Sequence, residues 1–206
     1  MNKIGKFISF EGPEAVGKSS QIRSLGIYLK KLKIPYLLTR EPGGTIVSEK
    51  IRKIILDNKN DISNNEELLL LMSSRLNHIN NVIKPAMNKG KLVISDRFCD
   101  STFVYQCYVN GYGISKGLKL HKDLLDNFLP NKTFLFLISP EEIIKRLKKR
   151  KKNNKYDKIN LSFHKKIILG YKKISKSDNR FILINANKNF NYIQKILRSE
   201  IYKIIN

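Results

Sequence analysis

The sequence predicts an α/β fold: a five-stranded parallel sheet flanked by helices, in a single domain over residues 1–206. Three observations predict it. Short apolar runs alternate with amphipathic stretches along the whole chain, as strands do when crossover helices join them. A glycine-rich segment separates the first apolar run from the first amphipathic stretch. No internal repeat and no Pro/Gly/Ser-rich linker divides the 206 residues, a length that buries a core of its own.

In chain order, the strands are expected at 6–11, 36–39, 92–95, 133–138 and 181–185. The first helical pattern, 18–31, follows the glycine-rich segment, and the second covers 45–57. A long pattern at 65–89 opens on Asn65-Glu66-Glu67, a cap followed by acids that suit a helix N-terminus, and should break before Pro85. Further helices are expected at 100–110, 140–150, 161–175 and 189–205, with Pro140 in a first turn that tolerates it. The run Lys148-Lys149-Arg150-Lys151-Lys152-Asn153-Asn154-Lys155 is of low complexity and buries nothing by itself. It reads as a solvated loop or as a basic lid at about 148–160.

Hydrophobic residues make up 41% of the chain, a globular proportion. The longest apolar stretches, 68–72 and 134–138, are far too short to span a bilayer. Residues 1–6 include two lysines but no apolar signal core follows, so a cytoplasmic protein with no membrane partner is expected. Cys99 and Cys107 read as free thiols, and His78, His121 and His164 lack metal-ligand spacing. The net charge of +23 admits a nucleic-acid footprint. Yet the excess is nearly all Lys and accompanies heavy use of Asn and Ile, a trio that AT-rich codons supply. No basic patch interleaved with base-stacking aromatics appears, so no nucleic-acid partner is expected. A basic surface also suits polyphosphate ligands.

The segment Gly12-Pro13-Glu14-Ala15-Val16-Gly17-Lys18-Ser19 matches the P-loop pattern between a strand and a helix, the context that motif requires. Glycines let backbone N–H groups approach a β-phosphate, and the helix N-terminus adds its dipole. Residues Gly12, Pro13, Glu14, Ala15, Val16, Gly17, Lys18, Ser19 and Ser20 are therefore expected to hold ATP. Lys18 would serve the β and γ phosphates, and the Ser19 hydroxyl Mg²⁺. Strand 92–95 runs into Asp96-Arg97; an Asp at that strand end can hold Mg²⁺ through water, although such a pair alone is as often a solvated turn.

Four segments together resemble bacterial thymidylate kinase, over essentially the whole chain. They are the P-loop with Phe10-Glu11; Thr39-Arg40-Glu41-Pro42-Gly43-Gly44-Thr45; Ser74-Arg75 ahead of Val82-Ile83-Lys84-Pro85-Ala86; and Asp96-Arg97-Phe98 with Ser101-Thr102 and Tyr105-Gln106. The resemblance implies a P-loop NTPase fold, transfer of the ATP γ-phosphoryl group to dTMP, and a homodimer. It implies that Arg40 and Arg97 face the dTMP phosphate, a task that suits guanidinium forks. It further implies that Arg75 contacts the thymine edge and that Glu14 lies near the 3′-hydroxyl. Pro42, Leu71, Ser101, Thr102, Tyr105 and Gln106 would line the base and sugar.

Positions 13–16 carry no arginine, which resembles the lid-arginine arrangement of bacterial members. Lys18, Arg97 and Arg150 are then the expected catalytic cations, with Arg146 packing on adenine or anchoring the lid. Two departures stand out. Leu71 occupies the place of the family's stacking Phe, and Asp157-Lys158-Ile159-Asn160 stands where Asp-Arg-x-Glu is usual. Two other readings remain open from the residues alone: another nucleotide or nucleoside kinase of this fold, and a basic P-loop ATPase or nucleic-acid-binding protein.

Overall fold

The organising strand is β1 (Phe7–Glu11), whose five side chains are all buried. The computed structural model describes residues 5–149 and 161–205, and within them β1 lies at the centre of a parallel five-stranded sheet. Its neighbours are β3 (Leu92–Asp96) and β4 (Lys132–Leu137), with β2 (Tyr36–Arg40) and β5 (Phe181–Asn185) outside them in the order β2-β3-β1-β4-β5. The register pairs Phe10 with Asp96 on one side and with Phe134 on the other.

Strands covered on both faces need apolar residues at successive positions, as these have. Ile8, Phe10, Ile94, Phe134 and Phe136 point to one layer, against α1 (Lys18–Lys31), α7 (Pro140–Lys148) and α9 (Phe190–Ile205). Phe7, Val93 and Leu135 point to the other, against α3 (Asn64–His78) and α8 (Leu161–Ser175). No helix among the described residues is long and apolar enough to cross a membrane.

The helices follow the expected order with four differences. The long helix opens earlier than Asn65: Ser63 is the cap, its hydroxyl accepting the Glu66 N–H while Glu66 accepts the Ser63 N–H. The same helix does not stop before Pro85. It widens into a π turn at Ile79–Ile83, where the Lys84 N–H reaches back five residues to the Ile79 carbonyl, and Pro85 then falls in the first turn of α4 (Lys84–Asn88). Widening removes the need for the N–H that proline lacks. The expected helix at 100–110 is a short α5 (Cys99–Thr102) followed by a π segment, Phe103–Val109.

An unexpected helix, α6 (Ile114–Leu125), follows. Its buried face is Gly117, His121 and Leu125, while Leu118 and Leu124 are exposed. A Cβ on Gly117 would lie 2.3 Å from the Cys107 sulfur, so the helix packs through the absence of a side chain. Ile114 and Leu120 are partly buried against the core beside it. The remaining helix, α2 (Ile46–Leu56), is capped by Thr45, whose hydroxyl accepts the Ser48 N–H at 2.9 Å. Arg150 and the expected lid positions Lys151, Lys152, Asp157 and Lys158 lie outside the described residues.

Because all five strands are parallel, the segments after β1, β2, β3 and β4 share one edge of the sheet. The chain leaves β1 towards β2 and β3, then returns past β1 to β4 and β5. Ligands bind where strand order reverses in this way.

Candidate active site

The loop after β1 is shaped by its glycines. Gly12 has φ +133°, and a Cβ there would sit 2.3 Å from the Phe136 carbonyl oxygen, so the loop lies flush on β4. Gly17 has φ +90° and turns the chain into α1. Lys18, the first residue of that helix, is buried and donates from Nζ to the carbonyls of Gly12 (2.9 Å) and Pro13 (2.7 Å). Burial, and then the nearby Arg97 guanidinium, push its ammonium down to about 8, against the pull of Asp96, Glu14 and Glu11. Ser19 donates its hydroxyl proton to Asp96 Oδ2 at 2.5 Å.

Arg97 follows β3 in the left-handed region, φ +72°, which turns its side chain back over the P-loop. Nη1 donates to Gly12 O (2.9 Å), Ser101 Oγ (2.9 Å) and Tyr171 OH (3.2 Å), and Nη2 donates to Glu14 Oε1 (3.0 Å). The Tyr105 hydroxyl lies 2.8 and 2.7 Å from the two Glu14 oxygens. Burial pushes the Glu14 carboxyl up, but Arg97, Lys18 and the Tyr105 hydroxyl outweigh it and hold the group below its ordinary range. Glu14 is thus an ionised carboxylate inside a phosphate loop, tolerated because cations flank it.

Behind them lies Glu11. It accepts the Phe98 N–H (2.7 Å), the Ser101 hydroxyl (2.6 Å) and the Tyr171 hydroxyl (3.1 Å). Burial and the negative charge of Asp100 push it up to about 7, against Arg97.

The residues expected on the base side come largely from α3. Leu71, Arg75 and His78 recur at helical spacing and share a buried face. Arg75 Nε donates to Glu41 Oε2 at 2.7 Å, and Nη2 donates to Thr102 Oγ1 (2.9 Å) and Phe98 O (3.3 Å). Gln106 donates to Glu67 at 2.8 Å. Glu41 opens the turn after β2 through a cis peptide bond to Pro42. Arg40 points outward and pairs with Glu49 at 3.0 Å.

These segments wall one cleft of about 690 Å³. Every expected site residue within the described residues lines it except Gly12 and Pro13, whose carbonyls hold Lys18 and Arg97 from behind. Arg146 reaches it from α7, with Nη1 3.5 Å from the Ala15 carbonyl and Nη2 3.2 Å from that of Ala186. Among the described residues, seven cations line the cleft: Lys18, Arg23, Arg40, Arg52, Arg75, Arg97 and Arg146. The lining acids Glu14, Glu41 and Asp96 are each already bonded to a neighbour, so the field that remains is positive and suits polyphosphates.

Among the described residues, no group of three or more His, Cys, Asp or Glu side chains could hold a metal ion alone. The Ser19–Asp96 pair offers two hard oxygens, which fits Mg²⁺, an ion held by one or two protein ligands and completed by phosphate oxygens and water. Sequence reasoning missed Glu11, Tyr171, Arg23 and Arg52 as site residues. Tyr171 lies mid-α8 with no local signature, and Arg52 reaches the cleft only because its Nη1 donates to Pro42 O at 2.8 Å.

Comparison with known proteins adds four findings of one kind. The family model described as thymidylate kinase matches residues 10–196. The chain is 39% identical over 202 residues to the thymidylate kinase of Lactobacillus acidophilus, covering 96% of this chain and 94% of that protein. It is 43% identical over 179 residues to the thymidylate kinase of Rickettsia africae (87% and 86% covered), and 42% over 192 residues to that of Thermoanaerobacter sp. (93% and 94%).

Proposed function

The chain belongs to the thymidylate kinase family, and we propose that it forms dTDP by direct in-line transfer of the ATP γ-phosphoryl group to dTMP within this one cleft. A single observation carries the site assignment: Lys18 Nζ and Arg97 Nη1 both donate to the carbonyl oxygen of Gly12, each at 2.9 Å. The cation of the donor-phosphate loop and the cation on the acceptor side therefore meet at one point. That convergence supports a reading in which the two phosphates are brought together there.

In this reading the P-loop N–H groups and Lys18 hold the β and γ phosphates of ATP. Arg97 turns its fork to the 5′-phosphate of dTMP, and Arg40 exchanges Glu49 for the same group. A 5′-phosphate oxygen attacks the γ-phosphorus as the bond to the β,γ-bridging oxygen breaks, and ADP leaves with that electron pair. Lys18 and Arg97 stay charged throughout and offset the spreading negative charge. Glu14 holds Arg97 in orientation and, with Tyr105, faces the sugar. Mg²⁺ held by Ser19 and Asp96 would neutralise the β and γ phosphates when bound. Arg150 is the lid cation we assign to the transferring group, and Arg146, bonded across to the loop carbonyls, anchors the base of the lid. We further propose that the enzyme acts in the cytoplasm and, as its resemblance implies, as a homodimer.

Phosphorus NMR tests the reaction. ATP, Mg²⁺ and dTMP mixed with the protein should give the β-phosphate resonance of dTDP in step with ADP. ADP and inorganic phosphate formed without dTDP would replace the reading with that of an ATPase.

A further inference from the structure

His78 has no exposure to solvent, yet both ring nitrogens are bonded. Nδ1 lies 2.9 Å from Glu41 Oε1 and Nε2 lies 2.7 Å from Thr39 Oγ1. Burial raises the Glu41 carboxyl, but Arg75 and His78 outweigh that and hold it below its usual range, so it is an acceptor only. Nδ1–H therefore donates to Glu41, and Nε2 shares a hydrogen bond with the Thr39 hydroxyl. A continuous chain results: Thr39 is bonded to His78, and His78 donates to one oxygen of Glu41, whose other oxygen receives Arg75 Nε at 2.7 Å. Thr102 and the Phe98 carbonyl fix Nη2. Nη1 has only the Met72 sulfur, a weak acceptor at 3.8 Å, among the described residues. Arg75 is itself 2% exposed and lines the cleft. The turn after β2 seals this chain, because a Cβ on Gly44 would lie 2.5 Å from His78 Nε2 and 2.7 Å from Thr39 Oγ1.

We infer that Glu41 and His78 are positioning residues that set acceptor-base selection: they clamp the Nε edge of Arg75 so that its Nη1 edge is presented to the base. A guanidinium donates and never accepts, so a fixed Nη1 pairs with a carbonyl and rejects an amino group at the same place. The inference rests on the reading of this cleft as the dTMP site and says which residues make it selective.

The test is steady-state kinetics with dTMP and 5-methyl-dCMP, a pair that exchanges a ring carbonyl for an amino group and keeps the methyl, on wild type, His78→Leu, His78→Asn and Glu41→Gln. The ratio of kcat/KM for two acceptors in one preparation does not depend on the folded fraction. His78→Leu should raise the dTMP KM about tenfold with kcat changed less than about threefold, and narrow the dTMP preference about tenfold. His78→Asn, whose amide N–H can replace Nδ1–H towards Glu41, should restore most of the preference. Glu41→Gln, nearly isosteric, should narrow it as His78→Leu does, and carries the test if the leucine variant does not fold. A preference unchanged in both variants, with only a lower melting temperature, would reduce the chain to packing and overturn the inference. Wild type inactive towards dTMP would instead overturn the dTMP reading, a failure visible before any variant is compared.

Discussion

Removing Arg97 should separate the two halves of the site. Arg97→Ala deletes four hydrogen bonds, to Gly12, Ser101, Tyr171 and Glu14. On the acceptor side it deletes a charge-assisted fork, which is about 2–4 kcal/mol in kcat/KM for dTMP, or about 30- to 900-fold. In the folded protein Glu14, 7% exposed, loses its ion pair. Breaking a fully buried pair costs about 3–5 kcal/mol; Arg97 is 20% exposed, and Lys18 and Tyr105 remain beside Glu14, so about 1–2 kcal/mol is expected. On the donor side the sign reverses. Arg97 is one of the causes pushing Lys18 down to about 8, so its loss leaves Lys18 more fully charged and should not raise the ATP KM. The assay is coupled ADP release with dTMP varied at saturating ATP, then the reverse, beside urea unfolding. Arg97→Lys should recover most of the stability and little of the kcat/KM, because an ammonium lacks the fork. A variant whose dTMP KM and kcat both stay near wild type, or whose defect lies only in the ATP KM, would refute the assignment.

Other outcomes are expected elsewhere. Lys18→Ala should lower kcat by at least about 100-fold, since it removes charge stabilisation of the transferring group; a change confined to the ATP KM would contradict that role. Gly12→Ala forces a Cβ against the Phe136 carbonyl at φ +133° and should cost more than about 3 kcal/mol in urea unfolding, whereas a loss below about 1 kcal/mol would mean the loop can lift from β4. Glu11 is raised from 4.5 to about 7 in the fold, so its stabilising contribution is fully present below about pH 4.5 and is lost as pH rises through about 7. Glu11→Gln should therefore flatten the melting temperature between pH 5 and 8, and an unchanged slope would assign the dependence elsewhere. In the proposed lid, Arg150→Lys should lower kcat far more than Lys151→Ala does; near-normal turnover of Arg150→Ala would move the role to Arg146 or Lys158.

The parallel sheet was legible because burial on both faces writes apolar residues at successive positions, as in Phe7-Ile8 and Phe134-Leu135-Phe136. The P-loop was legible because its backbone geometry demands glycine at positions 12 and 17. What could not be read was anything decided by partners distant in sequence. Helix α6 carries apolar residues at helical spacing, Ile114, Leu118 and Leu125, but two of the three positions it buries are Gly117 and His121, and Gly117 is fixed by Cys107 across from it. Pro85 reads as a break, but the π turn before it lets the helix continue. In the site, Arg40 and Arg97 look alike as sequence, whereas the fold buries Arg97 among Gly12, Glu14 and Tyr171 and leaves Arg40 half outside, paired with Glu49. Ser19 and Asp96 are 77 positions apart and meet at 2.5 Å because β1 and β3 are neighbours.

Acceptor competition tests the central claim most directly. ADP release is measured with dTMP, dUMP, dGMP, AMP and thymidine, each at the same concentration with saturating ATP and Mg²⁺. A positive cleft that presents Arg97 to a 5′-phosphate and Arg75 to a base carbonyl should give the highest kcat/KM with dTMP. Thymidine, which keeps the base but lacks the phosphate that Arg97 would hold, should be a far poorer acceptor. Equal or faster turnover with AMP or dGMP, or ADP release independent of any acceptor, would contradict it.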